Sequence, residues 1–162
     1  MRTPPPLLLL SLACVGLLAQ CHDSDATGPS QWPWTTIELR LQELVNAHRD
    51  SLGLAPLAWS ETIAAQVRTH SLNMSNGTVA FGHEGFDQRV AVISQAIPSS
   101  YWAENVARNY GGTDPAYAAL QQWLNSSGHK ANMECACNMA AVGVAQASSG
   151  EYFFTMFFLN SP

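Results

Sequence analysis

The last stretch of this chain constrains its fold most. Glu151 to Leu159, E-Y-F-F-T-M-F-F-L, has the aromatic content of a strand and is apolar at odd and even positions alike. Successive strand side chains point to opposite faces, so a segment apolar throughout is buried on both sides. A sheet that holds it needs helices above and below. Ala141 to Ala147, A-V-G-V-A-Q-A, precedes it across Ser148, Ser149 and Gly150, a turn short enough to make the two strands an antiparallel hairpin. The expected fold class is α+β, a three-layer α-β-α sandwich with a mainly antiparallel sheet.

The helices lie upstream. Ile37, Leu41, Leu44 and Val45 recur at helical spacing and predict a first helix over 36–52 that stops at Gly53. Its His48 reads as a solvated position. Pro56 biases residues 54–59 toward an extended connector. Ser60 is placed to cap a second helix whose Ile63, Ala64, Val67, Ser71 and Met74 share one face. His70, near its end, reads as a satisfied core histidine. After a turn-rich loop carrying Phe81 and His83, a short helix over 86–93 and a strand in W-A-E-N-V-A-R-N-Y are expected. Pro115 opens a helix to about Ser126, and Gly128 reads as its left-handed stop, presenting His129 just past the end.

The 162 residues, 47% hydrophobic and 12% charged, suit one compact domain at 36–162. Net charge is -5, no basic stripe occurs, and a nucleic-acid partner is not expected. Residues 1–21 read as a signal peptide, one early Arg2 and then an apolar run too short for a mature membrane anchor. The run ends in Leu18, Ala19, Gln20 and Cys21, which looks like a bacterial lipobox with Gln20 where a small residue is usual. Two outcomes stay open: acylation of Cys21, which gives a membrane tether through an N-terminal lipid, or cleavage and release. Residues 22–35 read as a polar linker. Localisation is therefore expected to be exported, either secreted or lipid-anchored to the outside of a bacterial membrane.

Five pieces in order, L-V-N-A-H-R-D-S-L-G-L-A-P-L-A-W, F-G-H, A-E-N-V-A, W-L-N-S-S-G-H-K-A-N and V-G-V-A before an aromatic strand, span residues 38–159. Together they resemble the CAP superfamily, the cysteine-rich secretory, antigen-five and pathogenesis-related proteins, in its bacterial SCP-domain branch. The resemblance implies an α-β-α sandwich with a cleft lined by two His and two Glu, which in some members hold a divalent metal. His83, Glu104 and His129 match three of the four. The second Glu falls near Ser126, a departure that weakens any mechanism needing two carboxylates. Ala103 replaces the Gly common before the Glu-Asn pair.

Read as chemistry, two imidazoles and one carboxylate form a three-ligand set suited to zinc, with water in an open fourth position. A zinc hydrolase also wants a general base, and neither H-E-x-x-H nor a carboxylate beside His129 is present; Glu84 is the local candidate. The plainer alternative is that Glu104 hydrogen-bonds the two histidines and ties loop, strand and helix together. Serine hydrolysis at Ser126 or Ser127 lacks a nucleophile elbow. Asn105 is expected at the cleft floor and Asn132 in the turn after His129. Cys135 and Cys137, the cysteines of the globular part, can pair within the chain only with each other, and a bridge across one residue is more reducible than most.

The leading expectation is thus an exported, non-catalytic binding module with a ligand cleft of His83, Glu104, Asn105, Ser126 and His129. The ligand is a lipid, a polysaccharide or a protein. The rival is a zinc-dependent hydrolase or peptidase in which His83, Glu104 and His129 hold the metal and act as catalytic residues.

Overall fold

A computed structural model describes Met1 and residues 33–162. The expected signal peptide, the Cys21 lipobox and the linker up to Trp32 lie outside the described residues. The folded unit starts slightly before residue 36, because the Trp34 ring already meets Tyr152 edge-on, 5.7 Å between centroids. Among the described residues no helix is long and apolar enough to cross a membrane.

The described residues form five helices and four strands: α1 Thr35–Ser51, β1 Ala58–Trp59, α2 Glu61–Ser75, α3 Phe86–Ser94, β2 Trp102–Asn109, α4 Pro115–Leu124, α5 Ser127–Met133, β3 Met139–Gln146 and β4 Tyr152–Leu159. Local chemistry explains the starts. The Ser60 side chain accepts from Ile63 N at the head of α2, and Asp114 accepts from Tyr117 N at the head of α4, with Pro115 in the first turn. Gly53 takes the left-handed conformation (φ 71°) just past α1.

Two expectations fail. Gly128 is not a left-handed stop: it lies inside α5, where its φ is not positive, and His129 is a helical residue rather than one beyond a helix end. The chain breaks earlier, at Ser126 (φ -118°, ψ 118°), whose carbonyl accepts from Lys130 N at 2.8 Å, and the fully buried Met133 holds the new helix to the core. The connector at 54–59 also contains a strand. Ala58 and Trp59 pair in parallel with Met139 and Ala140, a ladder too short to leave a periodic signal.

Sheet order is β1-β3-β4-β2, with β4 central between two antiparallel partners. Parity along β4 divides the core as the sequence requires. Phe154, Met156 and Phe158 join Leu41, Val45, Ala119, Trp123 and Met133 of α1, α4 and α5. Phe157 and Leu159 join Ile63, Val67 and Ile93 of α2 and α3, and Phe153 joins Met74. Each large apolar side chain buried this way contributes roughly 1.5–3 kcal/mol of transfer free energy. α2 lies directly on β3 because residue 143 is glycine: a Cβ there would overlap the backbone of Val67 and Arg68. Ser71 seals the contact, donating to Gly143 O at 2.8 Å and meeting Thr155 Oγ1 at 2.9 Å.

Both margins of the sheet are closed by side chains. Beyond the two residues that β1 pairs, the Glu38 carboxylate of α1 accepts from Val144 N at 3.1 Å and from Arg68 of α2 at 2.7 to 3.1 Å. At the β2 margin the carbonyls of Glu104, Val106 and Arg108 accept from Asn132 (3.4 Å), the Trp123 indole (3.0 Å) and Gln122 (3.0 Å).

Candidate functional site

The β2 margin also carries the cleft. Glu104 shares its parity with Val106, so its side chain points to the α2 and α3 face, while Ala103 and Ala107 point to the α1 and α4 face. Its carboxylate is almost fully buried, side-chain exposure 1%, and a buried carboxylate demands partners. Arg89 of α3 supplies two, Nε to Oε2 and Nη2 to Oε1, each 2.7 Å, in a bidentate fork. A third comes from His83, whose Nδ1–H donates to Oε1 at 2.9 Å while half of its ring (49%) stays exposed. The same Arg89 donates through Nη1 to Glu84 O at 2.8 Å and so pins the loop that presents His83.

Against the His83 and Glu104 side of this triad opens a cleft of about 390 Å³ lined by His83, Phe86, Tyr101, Trp102, Ala103, Glu104 and Asn132. Its volume falls in the range of small-molecule and polymer subsites. The aromatic wall is braced from behind, since Phe86 and Trp102 rest on Phe157 with centroids 5.5 and 5.9 Å away. Tyr101 is 41% exposed at the rim.

The remaining expected site residues, Asn105, Ser126 and His129, are not in the lining of the cleft. Asn105 is fully buried and structural: its amide donates to His129 O at 2.9 Å, and its oxygen accepts from Asn132 at 2.9 Å. Opposite parity turns it toward α5 while Glu104 faces α3. Ser126 is the N-cap position of α5 and supplies no side-chain cap. His129 lies on α5 and is tied to the sheet through its main chain, by Asn105. Burial, and secondarily the charge of His83, hold its imidazole below the ordinary histidine range. The two histidines therefore sense each other, but the Glu104 oxygens take their hydrogen bonds from Arg89 and His83 and do not bridge the pair.

That placement bears on the expected zinc set. Among the described residues no three His, Cys, Asp or Glu side chains stand together as metal donors. Both Glu104 oxygens already accept from a guanidinium whose charge would oppose a cation at the same place. Of the three donors named from sequence, His83 and Glu104 share a hydrogen bond, while His129 is bonded through its main chain to Asn105.

Sequence reasoning missed Arg89. A signal existed: Phe86, Arg89, Val90 and Ile93 are spaced i, i+3, i+4 and i+7, which places Arg89 on the apolar stripe of α3, and an arginine there must find an anion. His70 behaves as expected of a core histidine, 3% exposed, with its Nε2–H donating to Gly82 O at 2.8 Å. Burial pushes its pKa below the ordinary histidine range. His48 is not the solvated residue expected, for its Nε2 bonds Glu134 at 2.9 Å.

The model of the cysteine-rich secretory protein (CAP) family matches residues 42–159. The chain belongs to that family. It is 29% identical over 126 residues to the uncharacterised protein YkwD of Bacillus subtilis, a match covering 74% of this chain and 46% of that protein. An extracellular SCP-domain protein of Bacillus anthracis superposes with a TM-score of 0.63 at 26% identity, covering 78% of this chain and 41% of that one. An outer surface protein of Borrelia burgdorferi shares the fold, TM-score 0.65 at 17% identity, over 81% and 97% of the two chains. This CAP chain thus spans less than half the length of its two Bacillus relatives and sits in the bacterial SCP-domain branch.

Proposed function

We propose that this CAP domain is an exported binding module whose cleft captures a ligand without turning it over. The observation that carries the reading is the state of Glu104. Held by Arg89 on both oxygens and by His83 on one, its carboxylate is engaged inside the protein, which favours binding over base or metal chemistry. Among the described residues no Ser, Thr or Cys lines the cleft to act as a nucleophile.

Of the lipid, polysaccharide and protein ligands open from the sequence, a polysaccharide suits the cleft best. The Tyr101, Trp102 and Phe86 rings offer flat apolar surface for the faces of sugar rings, and Asn132 and the outer edge of His83 offer hydrogen bonds for hydroxyls. Export is supported by the apolar leader, by the Cys135–Cys137 disulfide, and by relatives described as extracellular or outer-surface proteins. The mass of the mature N-terminus separates a lipid tether at Cys21 from release.

Calorimetric titration with soluble cell-wall oligosaccharides, in the presence of a chelator, tests the cleft. Saturable binding is expected, weakened about tenfold or more, some 1.4 kcal/mol, in Trp102→Ala. A stoichiometric divalent metal retained through purification, with hydrolysis of the same oligosaccharides abolished by Glu104→Gln, would overturn the proposal in favour of the hydrolase.

A further inference from the structure

On the side of the molecule where α5 runs into β3, a guanidinium is buried without an anion. Arg49 is 2% exposed, and its hydrogen bonds all go to neutral carbonyls: Nε to Ala55 O at 2.8 Å, Nη1 to Met133 O at 2.8 Å and Cys135 O at 2.9 Å, and Nη2 to Cys137 O at 3.2 Å. Among the described residues no carboxylate pairs with it. Glu134, the acid that lies between those carbonyls in the chain, is bonded to His48 at 2.9 Å and lies 3.9 Å from Lys130, and Asp50 is exposed. An arginine does not shed its proton on burial, so the charge persists and its desolvation is only partly offset by carbonyl dipoles.

The carbonyls that hold Arg49 belong to the loop in which Cys135 and Cys137 form a disulfide across a single residue. The two cysteines differ in setting. Cys137 is 5% exposed and part of the core, whereas Cys135 is only partly buried and next to the exposed Ala136. In a bridged pair with one partly exposed and one buried cysteine, a cation held on the main chain of both and neutralised by no carboxylate offsets the cost of burying the leaving thiolate.

We propose that Cys135 and Cys137 are a redox-active pair that oxidises cysteine pairs of exported proteins, with Arg49 as counter-ion to the thiolate released on Cys137. A substrate thiolate attacks Cys135 Sγ. The S–S bond breaks, its electron pair leaves on Cys137 Sγ, and a mixed disulfide joins substrate and Cys135. The second substrate thiolate then attacks its partner sulfur and releases Cys135, which takes a proton from solvent. The substrate dithiol loses two electrons and two protons, and the protein disulfide gains the two electrons. This exchange is independent of the cleft.

The test equilibrates the whole chain with glutathione and glutathione disulfide at pH 7 and counts free thiols by maleimide mass tagging. The folded disulfide is expected to be reduced at least about tenfold more readily than the same disulfide in the chain unfolded by guanidinium chloride. In Cys135→Ser, the alkylation rate of Cys137 against pH should titrate below the ordinary thiol value of about 8.5, and Arg49→Gln in that background should return it there. Should Arg49→Gln fail to fold, the equilibrium and the Cys135→Ser titration decide by themselves. A folded disulfide as resistant as the unfolded one, or a Cys137 titrating at or above about 8.5, would overturn the proposal.

Discussion

At the β3 margin of the sheet Glu38 meets Arg68, and at the β2 margin Glu104 meets Arg89. Both carboxylates are buried, 0% and 1% exposed, and both sit in a guanidinium fork. The difference lies in the last partner. Glu38 turns its remaining acceptor capacity to a backbone N–H, Val144, whereas Glu104 turns it to His83, a ring half in water. A backbone partner ends the network inside the protein, while an exposed imidazole carries it out to a cleft. One margin is a lock and the other a lock with a handle, so the same ion pair marks a binding site only where its outermost member is accessible.

The largest expected effect breaks the closed margin. Glu38→Ala leaves Arg68 and Val144 N without this acceptor and should cost roughly 3–5 kcal/mol by urea denaturation while leaving oligosaccharide affinity unchanged. A tolerated substitution would mean that the two margins are not built alike.

Acid should act on the open margin first. His70 and His129 are both held below the ordinary histidine range by burial, and neither belongs to the Glu38 network. A histidine whose folded pKa is depressed binds fewer protons folded than unfolded. Its contribution is therefore intact above the unfolded value near about 6.5 and is lost as pH falls below it. Urea midpoints are expected to drop between about pH 7.5 and 5.5, on either side of that value. His129→Gln should flatten the slope without breaking the bond to Asn105, which uses the main chain. A slope unchanged in His129→Gln and His70→Gln alike would place the acid sensitivity elsewhere.

The smallest effect on stability concerns the handle. His83→Ala removes a half-exposed ring and leaves Arg89 on Glu104, so stability should fall by no more than about 1 kcal/mol while affinity for the oligosaccharide is lost. A much larger loss of stability would make His83 part of the lock.

Much of this architecture was legible in the chain because it is written in periodicity. The doubly apolar β4 required helices on both faces, and α1, α2 and the β3–β4 hairpin fall within about two residues of expectation. Errors came where one residue type admits two conformations or an element is too short for a pattern: Gly128 continues a helix instead of ending one, and β1 is two residues long. At the site, motif order pointed to His83, Glu104 and His129, but order carries no parity and does not say which of them bond. Asn105 and Glu104 are adjacent in sequence and opposite in direction, and it is Asn105, not the carboxylate, that holds the α5 main chain at His129. Arg89 was visible only as a charge on an apolar stripe.

The indole of Trp123 and the amides of Gln122 and Asn132 occupy three successive outward carbonyls of β2. An outermost strand normally offers such carbonyls as a template on which a foreign chain can align and from which fibrils grow. Here that row of acceptors is already spoken for, so a neighbouring copy pressed against this flank meets no vacant carbonyl at Glu104, Val106 or Arg108.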